Sequence, residues 1–153
     1  MEEHPNKAYI DAASGRAFRY YESEVQSRIQ NFSSALLGYQ GDEFSFDRDE
    51  LVSGAFPVKL EIKAGLGSMY LQAVRGLDGN RLCAWMVFSD EDIFSIPRQT
   101  RYLLTVKLGS EGWMGPHGFG YTDQFGHYSI VDVLREAHGA KLRLDTEFLN
   151  SIK

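Results

Sequence analysis

Four apolar residues, Val25, Ile29, Phe32 and Leu36, recur at intervals of four, three and four. That spacing sets them on one face of an α-helix, and a helix with one apolar stripe has to bury it against another layer. Ser23 and Gln26 stand at capping-box spacing around the start of the stripe. Gly38 follows it, where glycine can close the last turn in the left-handed region.

Several segments can supply the second layer. Val58–Ile62 alternates like a strand, and Gly65 and Gly67 then break it. Leu82–Phe88 is a continuous apolar run suited to a buried strand, with a turn signal just before it at Asp78-Gly79. Arg101–Leu108 reads as a strand or a short helix, and periodicity does not decide between them. A polar connector over 41–54 holds one expected short strand at Glu43–Phe46. Residues 8–21 read as a β-hairpin turning at Ser14-Gly15. Tyr121–Asp132 reads as a second hairpin turning at Gln124-Phe125-Gly126. Ile130–Glu136 is expected to be a strand end and Thr146–Ile152 a short helix. The expectation is one α+β domain over 1–153: an N-terminal β-hairpin plus helix, a mixed β core and a C-terminal hairpin.

Composition narrows the function classes. With 153 residues, 43% of them hydrophobic, the chain fits one globular domain with its own core. A net charge of −5 argues against nucleic-acid partners, which need clustered lysine and arginine. No apolar run approaches the roughly 20 residues that span a bilayer, so no membrane partner is expected. The acidic, polar opening Met1-Glu2-Glu3-His4-Pro5 does not read as a secretory signal, and the final residues are not a peroxisomal address. Cys83 is the only cysteine, which excludes an internal disulfide and fits a reducing, cytoplasmic setting.

Asp49, Glu61 and Lys63 imitate the carboxylate-and-lysine spacing of a metal-dependent nuclease. The competing reading is an exposed strand face bearing Lys59, Glu61 and Lys63 at period two, and it is favoured because short acidic motifs arise by chance. His4, His117, His127 and His138 show no zinc spacing, so no metal site is expected. Cys83, inside an apolar run, reads as a small buried hydrophobe. The glycines between 112 and 126 either cradle an anion or serve a loop that needs positive φ, and the loop is favoured.

The stretch Asn6–Tyr20, containing Asp11, Ser14-Gly15-Arg16 and Tyr20, resembles the opening of adenylate-forming acyl-CoA synthetases of the 4-coumarate:CoA ligase type. Further segments resemble the same family in order. Val52-Ser53-Gly54-Ala55-Phe56-Pro57 is similar to its adenine-facing segment, and Ile62–Gly67 to the approach to its Gly-Tyr-Gly motif. Leu82-Cys83, Pro97, Thr100 and Gly112-Trp113 follow, and Gly112–Glu136 is almost gapless. By this resemblance 1–43 corresponds to the ligase N-terminus, 52–132 to adenylation-core segments and 133–153 to the start of the C-terminal lobe. The fold it implies is a remnant of the ligase fold. Gly54, Ala55, Gly67 and Trp113 become the implied remnants of the nucleotide pocket.

The departures carry as much meaning. The family's phosphate loop falls in a gap between about Asp42 and Val52 and is absent. Its Thr-Glu pair falls on Met69-Tyr70, its Thr-Gly-Asp on Pro116-His117-Gly118, and its ribose-binding arginine on Val133. The catalytic lysine would lie beyond Lys153. Adenylation relies on positioned cations and N–H donors around the α-phosphate, and losing one such donor typically removes about 2.7–4 kcal/mol of transition-state stabilisation. No catalytic residue is therefore expected, and no cofactor, although the family uses ATP, magnesium and CoA.

The resulting expectation is a shortened ligase-like protein unable to adenylate. It would act as an accessory protein of secondary metabolism that binds a partner or a small acyl or aryl ligand. Apolar faces left open by the deletion would favour self-association. The alternatives are a small active enzyme on acyl or aryl substrates, and the nuclease.

Overall fold

A computed structural model describes residues 7–52, 56–65, 67–92, 94–109, 112–115 and 130–152, with side chains from Glu22 onward. Helix α1 runs over Lys7–Leu37. Strands β1 (Phe44–Ser45), β2 (Leu60–Ala64), β3 (Gly67–Asp78), β4 (Arg81–Asp92), β5 (Gln99–Gly109) and β6 (Gly112–Met114) follow, with a one-turn helix α2 (Asp49–Val52) between β1 and β2. Helix α3 (Ile130–Ser151) comes last. The strands form one six-stranded sheet in sequence order, and each of its pairings is antiparallel. The α+β class therefore holds, but the sheet is an antiparallel meander rather than a mixed one.

The expected N-terminal hairpin is instead the first half of α1. Ala8, Ala12, Ala13 and Ala17 are the best helix formers, and one interior glycine, Gly15, costs only about 1 kcal/mol relative to alanine. The Ser14-Gly15 turn signal loses to them. Ser23 consequently lies inside the helix and caps nothing. The stripe is where the spacing placed it: Val25, Ile29, Phe32 and Leu36 are all buried. Gly38 does not take positive φ. The helix ends instead on Tyr39 N–H to Leu36 O at 3.0 Å, a tightened last turn. Arg48 reaches back to donate to the carbonyls of Leu37, at 2.7 Å, and Tyr39. A cation on the last carbonyls of a helix is favourable for both hydrogen bonding and the helix dipole.

Both long helices contribute to one core. The register lines up Leu60 with Leu71, Leu71 with Phe88 and Phe88 with Leu104, a row of four buried side chains across four strands. Ile62 pairs Met69, and Met86 pairs Val106, on the same face. Trp113 on β6 meets Phe32 of α1 edge to face, with ring centroids 5.5 Å apart. The expected turn at Asp78-Gly79 is present: Gly79 sits at φ 64° in the two-residue loop that joins Asp78 to its partner Arg81.

From Ile130 the chain is helical, not a strand end, because Ile130, Val133, Leu134 and Ala137 recur at helical spacing and are all buried. Thr146–Ser151 is the last part of that same helix. Most of the second expected hairpin, Tyr121–Asp132, lies outside the described residues, and its last three positions are helical.

Candidate functional site

A cleft of about 240 Å³ opens where α1 passes the end of the sheet. Helix α1 supplies Glu24, Val25 and Arg28. The β3–β4 hairpin supplies Asp78, Arg81, Leu82 and Cys83, and the β5–β6 hairpin Lys107, Leu108 and Met114. Helical spacing explains the first group: the residue that anchors the core stripe, Val25, is followed three positions on by Arg28 at the stripe's edge. The hairpins explain the rest, since the short loop after Asp78 returns the chain at Arg81 directly opposite it.

Apolar and charged side chains share the lining. Lys107 donates to Asp78 at 2.6 Å, and this hydrogen bond raises the lysine's pKa. Cys83 is buried, as its sequence context implied, and its thiol donates weakly to the Leu108 carbonyl at 3.3 Å. Arg28 is half-buried, and among the described residues it has no hydrogen bond or ion pair. Glu24 stands one helical turn before it and is not paired with it either.

A second ionic cluster sits at the opposite end of the sheet. Asp90 of β4 accepts two hydrogen bonds from Arg101 of β5, at 2.9 and 2.7 Å, and one from Lys141 of α3 at 2.7 Å. Asp145 accepts a further bond from Arg101 at 2.8 Å. Burial alone would push the Asp90 carboxyl up. The hydrogen bonds from Arg101 and Lys141 outweigh burial and hold it below the usual carboxylate range. The Asp90 bonds push Arg101 further up, against its desolvation. Two cations face two carboxylates, so the cluster is self-neutralising and ties three elements together. Sequence reasoning missed it; the one local signal is Lys141 and Asp145, one turn apart on α3.

The residues implied by the ligase resemblance are not gathered into a pocket by the described structure. Gly54 and Ala55 lie outside the described residues. Gly67 opens β3, where a Cβ would come within 2.9 Å of the Lys141 side chain. Trp113 is fully buried against Phe32. The pairings Tyr70 with Ser89 and Trp85 with Lys107 place Gly67 and Trp113 beyond opposite ends of the five-residue stretch Trp85–Ser89 of β4, about 13 Å long. Of the nuclease residues, Glu61 and Lys63 share with Lys59 the exposed face of β2, as the competing reading had it. They line a shallow groove with Asp47 and Glu50, and Asp49 does not line it. Among the described residues no group of three His, Cys, Asp or Glu side chains is placed to hold a metal ion. His138, the one described histidine, packs edge-on against Phe44 at 5.8 Å. No described helix is long and apolar enough to cross a membrane.

Comparison of the chain with family models, curated proteins and solved structures finds no match.

Proposed function

We propose that this protein is a small-ligand-binding domain whose site is the cleft between α1 and the two hairpins. The observation that carries this is the lining of that cleft, in which apolar side chains stand beside several convergent charged groups that could orient a ligand. Its volume lies below the roughly 300–1,000 Å³ of drug-sized pockets. An apolar cavity of about 150 Å³ already holds benzene. The cleft therefore suits a single ring or a short chain, the acyl or aryl class expected from the sequence, rather than a nucleotide.

The ligase ancestry, with adenylation lost, is part of this proposal and rests on the order of the sequence segments, strongest over Gly112–Glu136. A library of monocyclic and short-chain fragments, followed by NMR, tests the binding reading. Binders are expected to shift the Val25 and Met114 methyl signals. A library with no binder, or with binders only at other surfaces, overturns it. Robust ATP–pyrophosphate exchange with any carboxylic acid would overturn the loss of adenylation.

A second reading, pairing with another copy of the chain, is favoured by one surface. Leu142 and Leu149 stand 52% and 51% exposed, two turns apart on α3. Arg143 and Glu147 flank them, and neither has a partner among the described residues. An antiparallel pair of α3 helices would set Leu142 of one copy beside Leu149 of the other, and Arg143 beside Glu147.

A further inference from the structure

We infer that the ligand of the cleft is a compact zwitterion, an amino acid with an apolar side chain. Its ammonium group is held by Glu24, its carboxylate by Arg28, and its apolar body rests on Val25, Leu82 and Met114. This rests on the binding reading above and adds the ligand's two charges. Five charged side chains line the cleft. Lys107 and Asp78 satisfy each other at 2.6 Å. Arg81 is exposed and has an interaction of its own. Glu24 and Arg28 are left. Both are half-buried, and neither has a hydrogen-bond or ion-pair partner among the described residues.

The two side chains are opposite in sign and one helical turn apart, with the glutamate first, the order that favours pairing. They line the cleft unpaired all the same. A pair of this spacing on a helix surface shifts an equilibrium by only about a factor of two. A charge-assisted hydrogen bond to a ligand contributes about tenfold or more. A ligand that meets both groups therefore outcompetes their pairing with each other. A ligand with a single charge meets one of them and is repelled by the other, which carries its own sign. A neutral ligand forgoes both contacts. The guanidinium grips a carboxylate through two N–H groups, and a carboxylate accepts from an ammonium N–H. Four residues rise about 6 Å along a helix, so one carbon bearing both groups lies within reach of both side chains. The cleft's volume of about 240 Å³ limits the whole ligand to about ten heavy atoms, by proportion with benzene in about 150 Å³. A single amino acid the size of leucine fits that limit and a peptide does not.

The test is an NMR titration of the full chain at neutral pH with leucine and two analogues: isocaproate, which is leucine without its amino group, and isopentylamine, which is leucine without its carboxylate. Leucine should bind about tenfold or more tightly than either, the difference expected for one charge-assisted contact. Shifts should map to Val25, Leu82 and Met114. Arg28→Gln should remove leucine's advantage over isopentylamine and keep its advantage over isocaproate. Glu24→Gln should do the reverse. Either analogue binding as tightly as leucine in the unaltered protein overturns the zwitterion inference and leaves the cleft standing. Both advantages undiminished in both variants would overturn the roles of Glu24 and Arg28. If none of the three probes binds, the zwitterion inference falls, and a monocyclic fragment found in the cleft by the wider screen would still uphold the binding reading.

Discussion

A carboxylate only 1% exposed needs compensation for lost hydration, and Asp90 obtains it from Arg101 and Lys141 together. Removing Asp90 leaves two partly buried cations with Asp145 alone to face them. Asp90→Ala should therefore lower stability by about 3–5 kcal/mol at neutral pH, read from urea unfolding. Replacing Asp90, Arg101 and Lys141 together by Leu, Met and Met should recover most of that loss, because apolar packing often matches a buried ion cluster. The pH dependence has a fixed sign. The Asp90 carboxyl titrates lower in the folded chain than in the unfolded one, where its pKa is about 3.9. Its contribution is therefore complete well above about pH 4 and lost as the pH falls through the lower folded value. The stability difference between the unaltered protein and Asp90→Asn should be flat from pH 7 to about 5 and shrink only below about 4. A difference that vanished near pH 6 would show that another group controls it.

Asp90 meets Arg101 because of an irregularity in β5. Phe88 pairs Leu104, but the next residue, Ser89, pairs Tyr102, so Leu103 is the extra residue of a β-bulge. Beyond the bulge the strand's faces are exchanged: Arg101 comes to lie opposite Asp90, and Tyr102 turns outward, 70% exposed. The same bulge explains why the pattern of Arg101–Leu108 could be read as strand or helix. The adjacent Leu103 and Leu104 break the alternation that a regular strand would show. Where alternation or a turn is local and undisturbed the sequence is a good guide: the turn at Asp78-Gly79 stands where expected, and the strand expected at Val58–Ile62 is present two residues further on, at Leu60–Ala64. The guide fails at 8–21, where a turn signal and alanine-rich helix propensity compete within one segment. The candidate cleft is hidden for another reason: Arg28 and Lys107 are far apart in the chain, and only the completed meander brings them to one opening. The competition at 8–21 can be measured directly. In the interior of α1, Gly15→Ala should raise stability by about 0.5–1 kcal/mol, since glycine has more backbone entropy to lose than alanine. In a hairpin turn at positive φ the same change would lower it. Thermal unfolding of the two proteins gives the sign.

At the scale of the whole molecule the two ends of the sheet are built differently. Helix α3 crosses one end and is fastened at successive turns. Arg135 bonds Glu43, His138 packs on Phe44, Lys141 and Asp145 complete the Asp90 cluster, and Phe148 stacks on Phe94 at 4.1 Å. The other end carries the cleft, bounded by side chains from α1 and two hairpin tips. Such a division fastens α3 to one end of the sheet and leaves the cleft at the other. Among the described residues it also leaves the outer side of α3, with Leu142 and Leu149, without a neighbouring element. A seam along one stretch of helix buries far less than the roughly 1,000 Å² of a stable interface, so pairing through it should be weak and concentration-dependent. Sedimentation velocity over a concentration series should show a reversible monomer–dimer equilibrium. The double substitution Leu142→Glu and Leu149→Glu should abolish it by placing like charges in the seam. Because both leucines are half-exposed, the change should leave folding stability within about 0.5 kcal/mol. Arg143→Glu alone should weaken the dimer, and Arg143→Glu combined with Glu147→Arg should restore it, because the exchange preserves the antiparallel charge match. A strictly monomeric unaltered protein, or a double exchange that fails to restore pairing, would rule out this arrangement of α3.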